Sequence, residues 1–202
     1  MINRFIAFAL AIGLPLAVHA QPLAIHRTVS GTTLNALNTP VARITVPSGF
    51  RYVGARRFIL GGFDDVELHV FADAGAHGLI RRLYWIQFEG YLPNDPAYAH
   101  TYTVKRTAAI AGLTFIVDAW PHNSQTVSPG SDDAQMRELL KSKGLRLPDR
   151  APAIRLVNLD KPKRNELMII YMEDRAGDAG RNWPALREAM LRRAIAGVTI
   201  AR

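Results

Sequence analysis

Three patterns of apolar and polar positions alternate along the chain. From Ala42 the pattern is extended: Ile44 and Val46 lead into Pro47-Ser48-Gly49, and Tyr52 to Leu60 forms a second run closed by Gly61-Gly62. Val66 to Asp73 alternates strictly, with Val66, Leu68, Val70 and Ala72 on one side and Glu67, His69, Phe71 and Asp73 on the other. Gly75 and Gly78 bracket a turn, with His77 inside it. A long strand follows from Leu79 to Tyr91, ended by Asn94-Asp95-Pro96. Tyr102–Thr107 and Leu113–Trp120 read as two further strands flanking Gly112.

Helical spacing appears late in the chain. Ser131 caps a helix whose first turn carries Asp132 and Asp133, where the dipole favours negative charge. Met136, Leu139 and Leu140 form its apolar stripe, and Gly144 closes it. Ala153–Leu159 and Leu167–Glu173 then form a strand pair around the basic turn Lys161-Pro162-Lys163-Arg164. A final helix starts near Asn182 with Pro184 in its first turn, and Leu186, Met190, Ala194, Ile195 and Val198 mark its buried side. Turns this short cannot hold crossover helices. The expected fold class is therefore α+β: a mostly antiparallel sheet of about six to eight strands with two later helices packed on it.

The first twenty residues have a different character. Asn3 and Arg4 precede an apolar run from Phe5 to Leu16, and Val18-His19-Ala20 supplies a small-residue cleavage site. That is the pattern of a secretory signal peptide over residues 1–20, and its run is too short to span a bilayer. Residues 21–41 have no sustained period and read as an extended N-terminal segment, and residues 42–202 read as a single domain. The chain is expected to be periplasmic or secreted, with no transmembrane segment after cleavage.

Composition narrows the chemistry. The 202 residues are 49% apolar and contain no cysteine, so disulfides, thiol nucleophiles and thiolate metal sites are absent. The formal charge of +8 would give a weak attraction to anionic surfaces. However, the basic residues are scattered as pairs (Arg56-Arg57, Arg81-Arg82, Arg192-Arg193) with no nucleic-acid signature, so no nucleic-acid partner is expected. Arg187, Arg192 and Arg193 on the outer side of the last helix offer a docking side for an envelope partner, although solvent is the usual neighbour of such residues.

Standard catalytic and metal motifs are missing. His26, His69, His77, His100 and His122 never fall in an H-x-x-x-H or H-x-H spacing, so zinc has no local seed. Asp64-Asp65 lies at a turn, where consecutive side chains point apart, and is weak as a metal site. Asp118 beside Trp120 fits a strand end better than a pocket. The candidate site is instead the reverse face of the two long strands. If residues 74–78 form a five-residue loop, Asp73 stands opposite Leu79, and odd positions pair with odd ones. Glu67, His69, Arg81, Trp85, Gln87 and Glu89 then share one face with Phe71 and Leu83. Plain solvent exposure is the ordinary state of such a face. Its mixture of indole, guanidinium and amide also suits recognition of a small molecule or envelope protein. The chain is therefore read as a non-catalytic binding or accessory domain with no cofactor. The alternative is a hydrolase acting on an anionic or glycan substrate, with Glu89, Glu67 and His69 as acid–base groups.

Overall fold

The computed structural model describes residues 23–94, 96–123, 126–175 and 182–201; the expected signal peptide lies outside them. A four-stranded sheet is built from Thr28–Ser30 (β1), Thr33–Ala36 (β2), Ala42–Thr45 (β3) and the C-terminal strand Thr199–Ala201 (β11), in the order β1-β2-β3-β11. The larger sheet contains Arg51–Leu60 (β4), Asp64–Ala74 (β5), Ile80–Tyr91 (β6), Thr107–Ile110 (β7), Leu113–Asn123 (β8), Arg150–Leu159 (β9) and Asn165–Glu173 (β10). Its order is β4-β5-β6-β10-β9-β8-β7, and every ladder in both sheets is antiparallel. Two helices complete the fold, Asp132–Ser142 (α1) and Trp183–Ala196 (α2). The α+β class with a mostly antiparallel sheet is therefore the observed one.

The seven-stranded sheet is covered on both faces, which is why its central strands are apolar on both sides. On one face α1 lays Met136, Leu139 and Leu140 against Leu68, Val70, Leu83, Trp85, Met168 and Ile170. On the opposite face the small sheet and α2 bring Leu34, Ile44, Met190 and Ala194 onto Phe71, Tyr84, Ile86, Phe115 and Ile169. Residues 28–36, expected to be an attached extension, thus belong to the core: Leu34 is fully buried. β1 pairs with β2 and β2 with β3, and the C-terminal strand β11 closes the other side of β3; strands of three and four residues are too short to show a sustained alternation.

The first helix starts and stops as its sequence dictates, whereas α2 ends at Ala196, short of the Val198 expected on its buried side. The Ala134 amide donates to Ser131 Oγ at 3.2 Å, and Gly144 takes a φ of +67° just beyond the cap. Gly78 is required on two counts. Its φ is +71°, and a Cβ there would lie 2.1 Å from the Gly144 carbonyl oxygen. That close approach carries a bridge in which the Ile80 amide donates to the Arg146 carbonyl and the Arg146 amide to the Gly78 carbonyl, both at 3.0 Å.

The register of β5 against β6 decides the sorting of the candidate residues. Ala74 pairs with Ile80, so the turn does hold five residues and like parities meet on that rung. Then a β-bulge at Arg81 adds one residue, and Asp73 pairs with Arg82. From there on odd meets even: Glu67 stands opposite Phe88, His69 opposite Ile86 and Val70 opposite Trp85. The expected register, Asp73 on Leu79 with odd on odd, is not the one observed. The physical reason lies at the bulge, where both Arg81 and Arg82 donate to the single carboxylate of Asp73.

Candidate functional site

The bulge divides the six expected site residues into three groups. Glu67 and His69 lie on the α2 face, Trp85, Gln87 and Glu89 lie on the α1 face, and Arg81 is held at the rim by Asp73. Arg81 lines a separate open hollow of about 650 Å³ with Arg51, Asp73 and Lys143. No single mixed face exists, and Trp85 is 4% exposed and packed in the α1 core.

On the α2 face, Glu67 and His69 form a closed hydrogen-bonded unit. His69 Nε2 donates to Glu67 Oε1 at 2.8 Å, and its Nδ1 accepts from the Tyr52 hydroxyl at 3.0 Å. The amides of His26 and Arg27 donate to the same carboxylate at 2.8 and 3.0 Å, with the Arg27 guanidinium 3.4 Å away. Burial pushes Glu67 up, but the His69 bond, the His26 amide and the Arg27 charge outweigh it and hold the carboxyl at about 2. Burial pushes the Tyr52 hydroxyl up to about 12, so it is no activated nucleophile. This unit fastens residues 26–27 to the sheet. Beside it, Arg57 grips Asp65 with two bonds and reaches the Ala24 carbonyl at 3.1 Å.

The α1 face carries a polar line between two sites. Trp85 Nε1 donates to Gln87 Oε1 at 2.7 Å, and the Gln87 amide nitrogen donates both to Glu89 and, at 3.3 Å, to Asp132 at the start of α1. At the Trp85 end is a hollow of about 370 Å³, walled by Trp85, Trp120, Met168, Ile170 and Met172, with Arg155 and Asp132 on its lining. Arg155 sits 5.2 Å over the Trp120 ring and 5.3 Å over the Tyr102 ring, and donates to Asp118 at 2.9 Å. Trp120 thus walls a pocket, and Asp118, read in the sequence as a strand end, holds the Arg155 that lines it.

At the Glu89 end, four acid–base groups converge from distant parts of the chain. Glu89 and Glu166 are direct partners across β6 and β10, and Asp64 enters from the start of β5. Residues 96–106 pass over this end of the sheet and add His100 and Tyr102. They are fastened by the His100 amide to the Lys163 carbonyl at 2.8 Å, and by Arg164, which donates to the Tyr98 and Leu92 carbonyls at 3.0 Å. The basic turn is exposed at Lys161, Pro162 and Lys163, and through the Lys163 carbonyl and Arg164 it also supports this strap. Tyr102 donates to Glu166 Oε2 at 2.7 Å, and His100 Nδ1 stands 3.3 Å from the same oxygen.

The crowded carboxyls resist ionisation. Burial, then the neighbouring Glu166 and Asp64 charges, push Glu89 up to about 9. Burial also raises Asp64 and Glu166. A group of this kind, partly open and strongly shifted, is a physical mark of a functional site. One carboxylate oxygen each of Asp64 and Glu89 and a ring nitrogen of His100 lie within 4.8 Å of one another. Sequence reading weighed Asp64 and His100 as metal ligands and set them aside, and missed Tyr102, Arg155 and Glu166, since each is non-local to the others.

No protein-family model, curated protein or solved structure matches the chain. Among the described residues, no helix is long and apolar enough to cross a membrane.

Proposed function

We propose that the chain is an exported, non-catalytic binding protein whose ligand occupies the hollow between Trp85, Trp120 and the start of α1. The observation that supports this reading is the make-up of that hollow: two indoles and two methionine thioethers around about 370 Å³, with Arg155 and Asp132 on the lining. Apolar walls with a few placed polar groups are the usual composition of a small-molecule site. Methionine adapts to ligand shape, while the indoles supply rigid contact area. The ligand class is a small amphipathic molecule, with its apolar body on Trp85, Met168 and Met172 and its polar end toward Arg155 or Asp132. Export rests on the charged, apolar and small-residue pattern of residues 1–20.

The hydrolase alternative required Glu89 to work with Glu67 and His69. The sheet separates them, so that version has no geometry to support it.

An anilinonaphthalene sulfonate dye, apolar with one anionic group, tests the hollow. Saturable binding that quenches tryptophan emission is expected. Ala153→Phe, which fills the floor of the hollow, should abolish it, and Arg155→Ala should weaken it by about tenfold, or roughly 1.4 kcal/mol. Dye binding indifferent to both changes would remove the hollow as the ligand site. N-terminal sequencing of the exported protein should begin at Gln21.

A further inference from the structure

We propose that Asp64, Glu89 and His100 form a binding site for one divalent transition-metal ion, with Glu166 supporting His100 from behind. Their donor atoms, all within 4.8 Å of one another, come from three separate segments: the start of β5, the end of β6 and the strap. Among the described residues no other trio of His, Asp and Glu comes this close.

Closeness alone would describe an ordinary acidic cluster. The second observation is that the site is short of partners. Asp64 is 4% exposed and His100 7% exposed, yet Asp64 Oδ1 and His100 Nε2 are both buried without a hydrogen-bond partner. An unpaired buried polar atom costs about 1–3 kcal/mol, and here two of them belong to the same trio. A cation bound through Asp64 Oδ1 and His100 Nε2 would satisfy both.

The imidazole is held ready. Its ring stacks on Tyr91 at 4.4 Å, and its backbone amide is fixed to Lys163. Nδ1 faces Glu166 at 3.3 Å, which leaves Nε2 as the nitrogen without a protein partner. A carboxylate behind a ligating histidine sets the tautomer and orients the ring. Tyr102 in turn fixes that carboxylate at 2.7 Å. One imidazole with two carboxylates, and no thiolate anywhere in the chain, suits zinc or manganese better than calcium or magnesium, which favour all-oxygen shells. Ligands around tetrahedral zinc stand roughly 3.4 Å apart, so the trio, already within 4.8 Å, needs to close by little more than an ångström at most when the ion enters. The half-buried Glu89 side chain is the part that moves.

The test uses the full chain, freed of metal by a chelator and carrying no histidine tag. Zinc titration by calorimetry should give one tight site per chain, and X-ray absorption of the loaded protein should show nitrogen and oxygen donors including imidazole. Asp64→Asn and His100→Gln should each weaken zinc by at least about tenfold, and Glu166→Gln by about ten- to a hundredfold. Trp120→Phe should leave zinc binding unchanged while altering the neighbouring hollow. Circular dichroism confirms that each variant is folded. For any that is not, a zinc-soaked crystal of the unaltered chain decides, with metal expected between Asp64, Glu89 and His100. No zinc uptake, uptake of calcium alone, or zinc bound elsewhere would overturn the site.

Discussion

Glu67 and Glu89 sit on the same pair of strands, on adjacent rungs and on opposite faces of the sheet, and the protein treats them in opposite ways. Glu67 is almost wholly buried, but a histidine, two backbone amides and an arginine surround it, so it stays ionised. Glu89 is more open, yet its neighbours are two further carboxyls, and it keeps its proton. Burial sets the cost of the charge, and the partners decide whether that cost is met. On the α2 face the partners meet the Glu67 charge and hold the N-terminal segment. The α1 face is left incomplete, with unpaired atoms at Asp64 and His100.

The sharpest way to break this contrast is Glu67→Ala. It strands His69 and the amides of His26 and Arg27, and should cost about 3–5 kcal/mol in denaturant unfolding. A loss under about 1 kcal/mol would mean that the unit does not fasten the fold.

The two glutamates should also respond to pH with opposite signs. The folded value for Glu67, about 2, lies below the ordinary 4.5. Its contribution is therefore present above about pH 4.5 and lost as the pH falls toward 2. The stability difference between the native chain and Glu67→Gln should shrink over that acid range. The folded value for Glu89 is raised, so stability falls as the pH rises from about 4.5 toward 9. Glu89→Gln, which keeps the shape and removes the acid, should therefore raise stability at neutral pH by about 1 kcal/mol or more. A loss of that size would contradict the reading.

Smaller effects calibrate the scale. Tyr102→Phe removes one donor from Glu166 and should cost about 1 kcal/mol by thermal unfolding. Arg56→Ala breaks an exposed pair with Glu138 and should change stability by less than about 0.5 kcal/mol.

Local chemistry made parts of the fold legible in the sequence. The Ser131 cap, the Met136-Leu139-Leu140 stripe, Gly144 and Pro184 each act within a few residues, and each stands where the pattern placed it. The antiparallel sheet followed from turns too short for helices. The candidate face was not legible, because one residue at Arg81 inverted everything downstream of the turn. Alternation specifies parity along one strand only, and a bulge resets it between strands. The pull of two adjacent arginines on Asp73 was the available sign, and it reads equally as a surface ion pair. Trp85, Gln87 and Glu89 do share a face, as their spacing required. What joins them was hidden by distance along the chain, with Asp64, His100 and Glu166 each brought in by a different segment.

The most direct test of the contrast follows both glutamates in one sample. The side-chain carboxyl carbon shifts of Glu67 and Glu89 can be read by NMR from about pH 2 to about pH 10, a range that spans the ordinary carboxyl transition. For the metal-free protein the account predicts that Glu67 begins to protonate only at the acid end, while Glu89 remains protonated through neutrality and ionises at the alkaline end. Two ordinary transitions near pH 4.5 would contradict it.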